Sequence, residues 1–233
     1  MEFVPHSAPL VVLAFLGTVF LTGVAGSAVI WSLGAGRFAR AAKIGGAGVL
    51  VLLVYGAAWL GRARLSEERT LAAGESKYFC EIDCHIAYTV ERVARAATLG
   101  DGESLVAADG VFLVVTVRTW FDERTISARR GREAPLFPGP RDVRVVDETG
   151  RSWRTALGGQ KALRGSTVSL MQPLRPGESF ETQFVFDVPT EVQTPRLLLT
   201  DWFPLSTFLI GHENAPGAGR IYFALSDARV AGS

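Results

Sequence analysis

Two stretches without a charged side chain, Pro9–Leu33 and Ile44–Leu60, constrain this 233-residue chain more than any other feature. An α-helix rises about 1.5 Å per residue, so about 20 apolar residues cross the hydrocarbon core of a bilayer. The first stretch is long enough to span with tilt. The second is short, and Ala41 and Ala42 extend it if Lys43 carries its ammonium to the interface. From Gly61 onward the composition changes to mixed charge, Pro and Gly. The reading is a two-span hairpin over residues 1–61, a linker over 62–77 and a folded domain over 78–233.

The loop between the spans carries Arg37, Arg40 and Lys43 and no acid. Short basic loops stay cytoplasmic, which places the N-terminus and the C-terminal domain on the extracytoplasmic side. Arg62, Arg64 and Arg69 pull the other way but are accompanied by Glu67 and Glu68. A cleaved signal peptide fits the first stretch less well, because no basic residue precedes it and its apolar run is too long. Gly23 and Ser27, and likewise Ala42 and Gly46, are four residues apart, a spacing that lets helix backbones approach closely. Packing of the two helices on each other is expected, with docking on a larger membrane complex as the alternative. The absence of ionisable groups inside the stretches argues against ion transport by this chain alone.

Past the linker, short runs alternate with period two between turn signals. Val111, Leu113, Val115 and Val117 form one face of a run. Val143 and Val145 lead into Asp147-Glu148-Thr149-Gly150, with Ser152-Trp153-Arg154 as the return. Phe180, Thr182, Phe184, Phe186 and Val188 form another run, followed by Leu197 and Leu199 and then by Ile221, Phe223 and Leu225. This pattern predicts an all-β domain, an antiparallel β-sandwich.

Leu174-Arg175-Pro176-Gly177-Glu178-Ser179, followed by Phe184-Val185-Phe186-Asp187-Val188-Pro189, resembles a widespread family of bacterial immunoglobulin-like domains of unknown function. The strand Gly110–Phe121 and the hairpin Asp147–Gly150 fit the same pattern, and the resemblance spans about residues 84–227. It implies an immunoglobulin-like sandwich, secreted or anchored in a bacterial cytoplasmic membrane. It implies no activity.

Both cysteines fall in Tyr78-Phe79-Cys80-Glu81-Ile82-Asp83-Cys84-His85. Three readings stand side by side. Cys80 and Cys84 form a disulfide, which an oxidising compartment permits and which requires a turn at residues 81–83. Alternatively the two thiolates, with His85 and His212, bind copper or zinc. Or Cys80, Ile82, Cys84 and Ile86 share one buried strand face. Two spans followed by a sandwich with Cys-x-x-x-Cys also resemble cytochrome c oxidase subunit two. Here, however, the cysteines precede the sandwich strands, and Tyr88 stands where that copper site requires a histidine.

His212 lies in a long connection, Asp201–Gly219, that is unusually apolar. Trp202, Phe203, Phe208, Leu209 and Ile210 either close one end of the core or dock on a membrane partner or the bilayer surface. The docking candidates are Trp202, Phe203, Phe208 and Ile210. The arginine-rich segment Asp122–Asp142 is expected to be a solvated loop, with lipid headgroups or an acidic partner as the alternative.

A net charge of +1 offers no pattern for nucleic acid. No Gly-x-Ser-x-Gly elbow or phosphate-binding glycine loop occurs, which points away from an enzyme. The expected function is a membrane-anchored extracytoplasmic interaction module without a cofactor, possessing a membrane-protein partner and acting as an accessory subunit of a larger complex. The alternative is a metal-binding or thiol-redox protein built on Cys80 and Cys84.

Overall fold

The computed structural model describes residues 8–79, 85–126, 131, 133–163 and 168–225. They divide into two compact units. One holds the N-terminal helices and residues 204–219, and the other holds the sheets.

In the helical unit, α1 (Ala8–Gly34) and α2 (Phe38–Arg64) form an antiparallel hairpin. Both are long and apolar enough to cross a membrane, with mean hydropathies of 2.1 and 1.9. Gly36 (φ 69°) ends α1 in a left-handed conformation that side chains disfavour. The Arg37 N–H then reaches back to the Ser32 carbonyl at 2.8 Å. The helices do pack on each other, but through a different set of small residues from the one expected. A Cβ on Gly48 would lie 3.4 Å from the Ala25 methyl, and one on Gly45 would lie 3.7 Å from Val29. Gly23, Ser27, Ala42 and Gly46 are exposed instead. The spacing rule found small residues on both helices, but it does not say which face turns inward.

The sheet unit is built from β1 (Arg69–Leu71), β2 (Ser76–Phe79), β3 (Ile86–Leu99), β4 (Val106–Phe121), β5 (Arg141–Val146), β6 (Ser152–Trp153), β7 (Ser179–Val188), β8 (Arg196–Asp201) and β9 (Ile221–Ala224). One sheet runs β1-β9-β8-β5-β6 and the other β2-β3-β4-β7. Their inner faces meet in one core containing Leu71, Val145, Leu197, Leu199 and Phe223 from the first sheet and Tyr88, Val90, Leu113, Val115, Val117 and Phe186 from the second. Alternation along β4 and β7 puts these residues on one side. The other side of β4 and β7 is apolar too, because α3 (Leu157–Ala162) covers Phe112, Val114 and Val185. This is why Val111–Val115 reads as an unbroken apolar run.

Two expectations change. The stretch read as a linker supplies β1 and the start of β2, one strand to each sheet. The sandwich is also not wholly antiparallel. β1 runs parallel to β9, with Arg69 opposite Ile221 and Leu71 opposite Phe223. A chain that arrives from a preceding segment and adds to an edge has no hairpin to force it antiparallel.

Candidate functional site

The segment holding Cys80 and Cys84 joins β2 to β3. Residues 80–84, and with them the disulfide, metal and buried-thiol readings of the two thiols, lie outside the described residues. Its stems are firmly held. Phe79 pairs with Ile86, and the Asp122 N–H donates to the His85 carbonyl at 2.9 Å. His85 is buried, stacks on Phe121 at 5.3 Å and hydrogen-bonds through Nδ1 with Thr125 Oγ1. Tyr78 donates its hydroxyl proton to Asp122 Oδ2 at 2.8 Å, and the Arg124 guanidinium grips both oxygens of the same carboxylate at 2.8–2.9 Å.

These contacts set the titration of the stems. The Arg124 hydrogen bonds hold the Asp122 carboxyl at about 2, overcoming the upward push of burial, with Tyr78 assisting. Burial, then the bond to Asp122, pushes the Tyr78 hydroxyl up to about 12. Behind Phe79 lies a second buried polar cluster. Lys77 donates to the Leu199 and Ile221 carbonyls at 2.7 and 3.2 Å. Arg141 lies 4.1 Å from the Phe79 ring centre and 3.3 Å from Asp201 Oδ1. Periodicity did not mark this cluster, since it depends on charged residues pointing into the core.

His212 belongs to the helical unit, where its Nδ1 accepts from the Asn214 N–H at 3.1 Å. His85 belongs to the sheet unit. Among the described residues no group of three His, Cys, Asp or Glu side chains is arranged to hold a metal ion.

Residues 204–219 belong to the helical unit. They pack on the hairpin. A 3-10 turn spans Pro204–Phe208, and Phe208 stacks on Phe15 at 6.5 Å with ring planes 9° apart. It also meets Trp59 at 6.2 Å. The Tyr55 hydroxyl donates to the Phe208 carbonyl at 2.8 Å, and the Trp59 indole N–H donates to the Thr207 carbonyl at 2.9 Å. Ile210 is half-buried.

In the sheet unit, Trp202 and Phe203 are exposed, at 61% and 54%. Trp202 borders a groove of about 280 Å³ lined by Arg141, Asp142, Arg144, Arg154 and Phe184. The groove runs along the outer edge of β5. β8 pairs along one side of β5, and on the other side β6 pairs only with Val145 and Val146, so no described strand covers that side of Arg141–Arg144. Arg144 is paired with Asp142, yet its Nε is buried without an acceptor. The charges discourage edge-to-edge self-association. They also make the groove net basic. The segment 122–142 is thus not wholly a solvated loop: a 3-10 turn spans Glu123–Thr125, and Leu136 bridges to Leu174.

No family model matches this chain, and no curated protein matches it. Among solved structures, the chain is similar to the secreted protein MPT63 of Mycobacterium tuberculosis, at 12% identity and a TM-score of 0.43, over 67% of this chain and 97% of that one. It is also similar to an uncharacterized β-sandwich protein of Clostridium difficile, at 13% identity and a TM-score of 0.38, over 69% of this chain and 95% of that one.

Proposed function

We propose that this protein is a membrane-anchored interaction module. An immunoglobulin-like sandwich is held on the extracytoplasmic face of a bacterial cytoplasmic membrane by a two-span hairpin, and it contacts a membrane-protein partner as an accessory subunit. The observation that carries this reading is the exposed Trp202 beside the arginine-lined groove. Trp and Arg are the side chains that most often dominate binding energy, because they bury large area while keeping a directed polar group. With Arg141 held by Asp201 and Arg144 by Asp142, Arg154 supplies the groove's net positive charge, so the matching surface is an acidic segment of the partner.

Native mass spectrometry of the chain purified from its own membrane in mild detergent tests this. The wild-type chain is expected in a complex heavier than its 25.1 kDa. Trp202→Ala combined with Arg154→Glu is expected to release it as the free chain while leaving it folded. A wild-type chain that purifies alone contradicts the reading.

The thiol reading of Cys80 and Cys84 is the competing function. Copper or zinc bound there, with His85 as neighbour, would make the protein a metal carrier or redox protein.

A further inference from the structure

The segment Pro204-Leu205-Ser206-Thr207-Phe208-Leu209-Ile210 contains no charged residue. Leu205 and Phe208 are 47% and 48% exposed. The depth of Phe208 can be read from both helices. It stacks on Phe15, six residues inside the charge-free part of α1, and accepts from Tyr55, five residues inside that of α2. At about 1.5 Å per residue, both place Phe208 roughly 7–9 Å below the hydrocarbon boundary.

Non-helical backbone at that depth is tolerated only if its polar groups are satisfied within the protein. Four consecutive carbonyls here are. Ser206 accepts from the Leu209 N–H at 3.1 Å, and Leu209 accepts from the His212 N–H at 3.2 Å. Thr207 and Phe208 accept from Trp59 and Tyr55. The chain then climbs along α2. Gly211 approaches Arg62, where an added Cβ would lie 3.4 Å from Arg62 Cγ, and the Gly219 N–H donates to Ser66 Oγ at 2.8 Å.

We infer that residues 204–210 are a third membrane-embedded element, a loop whose apolar side chains enter the acyl chains of the leaflet on the domain side. Trp59 serves as an interfacial aromatic, and Trp59 and Tyr55 together are the donors that let the loop's backbone leave water. This inference rests on the anchoring reading.

The test uses the full chain in nanodiscs of dioleoylphosphatidylcholine, with 4-trifluoromethylphenylalanine placed singly at Phe208, Phe20 or Phe137. Phe20 on α1 and Phe137 in the sheet unit are each 69% exposed. Fluorine relaxation is read with 5-doxyl lipid and, separately, with a water-soluble gadolinium chelate. Broadening of Phe208 and Phe20 by the lipid quencher alone, with Phe137 broadened by the chelate alone, is the expected result. A chelate-broadened Phe208 beside a lipid-broadened Phe20 overturns the loop and spares the anchor. Phe208 reached by neither quencher means that protein covers it, and the lipid assignment falls. A Phe20 untouched by the lipid quencher overturns anchoring and loop together.

Discussion

Asp122 binds fewer protons in the folded chain than in the unfolded one, because Arg124 and Tyr78 hydrogen-bond its ionised form. Its folded value, about 2, lies below its ordinary 3.8. The stabilisation is therefore complete above pH 4 and is lost as pH falls from about 4 to 2. Asp147 behaves alike. Burial pushes its carboxyl up, but bonds from Arg151 and Thr149 outweigh this and hold it at about 2. Tyr78 has the opposite sign. Its folded value of about 12 exceeds the ordinary 10, so its contribution is present below pH 10 and is lost between 10 and 12. Urea denaturation is expected to show weakening at both ends. Tyr78→Phe should abolish this residue's share of the alkaline loss. Unchanged alkaline behaviour in that variant would contradict the assignment.

Cys80 and Cys84 can be resolved by intact mass under non-reducing conditions, with alkylation and elemental analysis. The disulfide predicts a chain lighter by two hydrogens, without metal. Stoichiometric copper or zinc that disappears when both residues become Ser would establish the competing function. Residues such as Lys77 and Arg141 show why the site was poorly legible. Their charges signal a surface, and only the fold reveals that carbonyls, Asp201 and the Phe79 ring receive them.

At the scale of elements, α3 is the sharpest fit. A Cβ on Gly159 would lie 2.7 Å from Val185 Cγ1 and 3.1 Å from the Phe112 ring, so Gly159→Ala forces these side chains or the helix to shift. Overpacking of this kind costs about 1–3 kcal/mol. Thermal unfolding of the variant checks it, and an unchanged midpoint would contradict the close packing. The same helix guards the open edge of β7, where Gln160 donates to the Gln183 carbonyl and accepts from the Val185 N–H. The strands near β4, β5, β7, β8 and β9 were legible because alternating apolar residues declare a face. β3 was not. Its Val-Glu-Arg-Val-Ala-Arg-Ala-Ala is rich in helix-favouring residues, and pairing with β4 overrides that preference. The register breaks between Val90 and Arg92 and between Ala96 and Thr98 mark where this strand bends to fit.

On the scale of the whole molecule, two helices and a two-sheet domain were both visible in composition alone, since charge-free runs and alternating runs obey different periods. The membership of residues 204–219 in the helical unit was not visible. Their apolar character was plain, but it fits a core lid as well as a hairpin contact. Phe208 against Phe15, Tyr55 and Trp59 shows the hairpin contact. The central claim is that the sheet domain lies outside the cytoplasmic membrane. It rests on the basic turn at Arg37, Arg40 and Lys43. Protease added to intact cells, or to spheroplasts where an outer membrane is present, tests it most directly. Removal of the sheet domain with a protected α1–α2 fragment is the predicted result. A domain that resists digestion until the inner membrane is lysed would contradict the account.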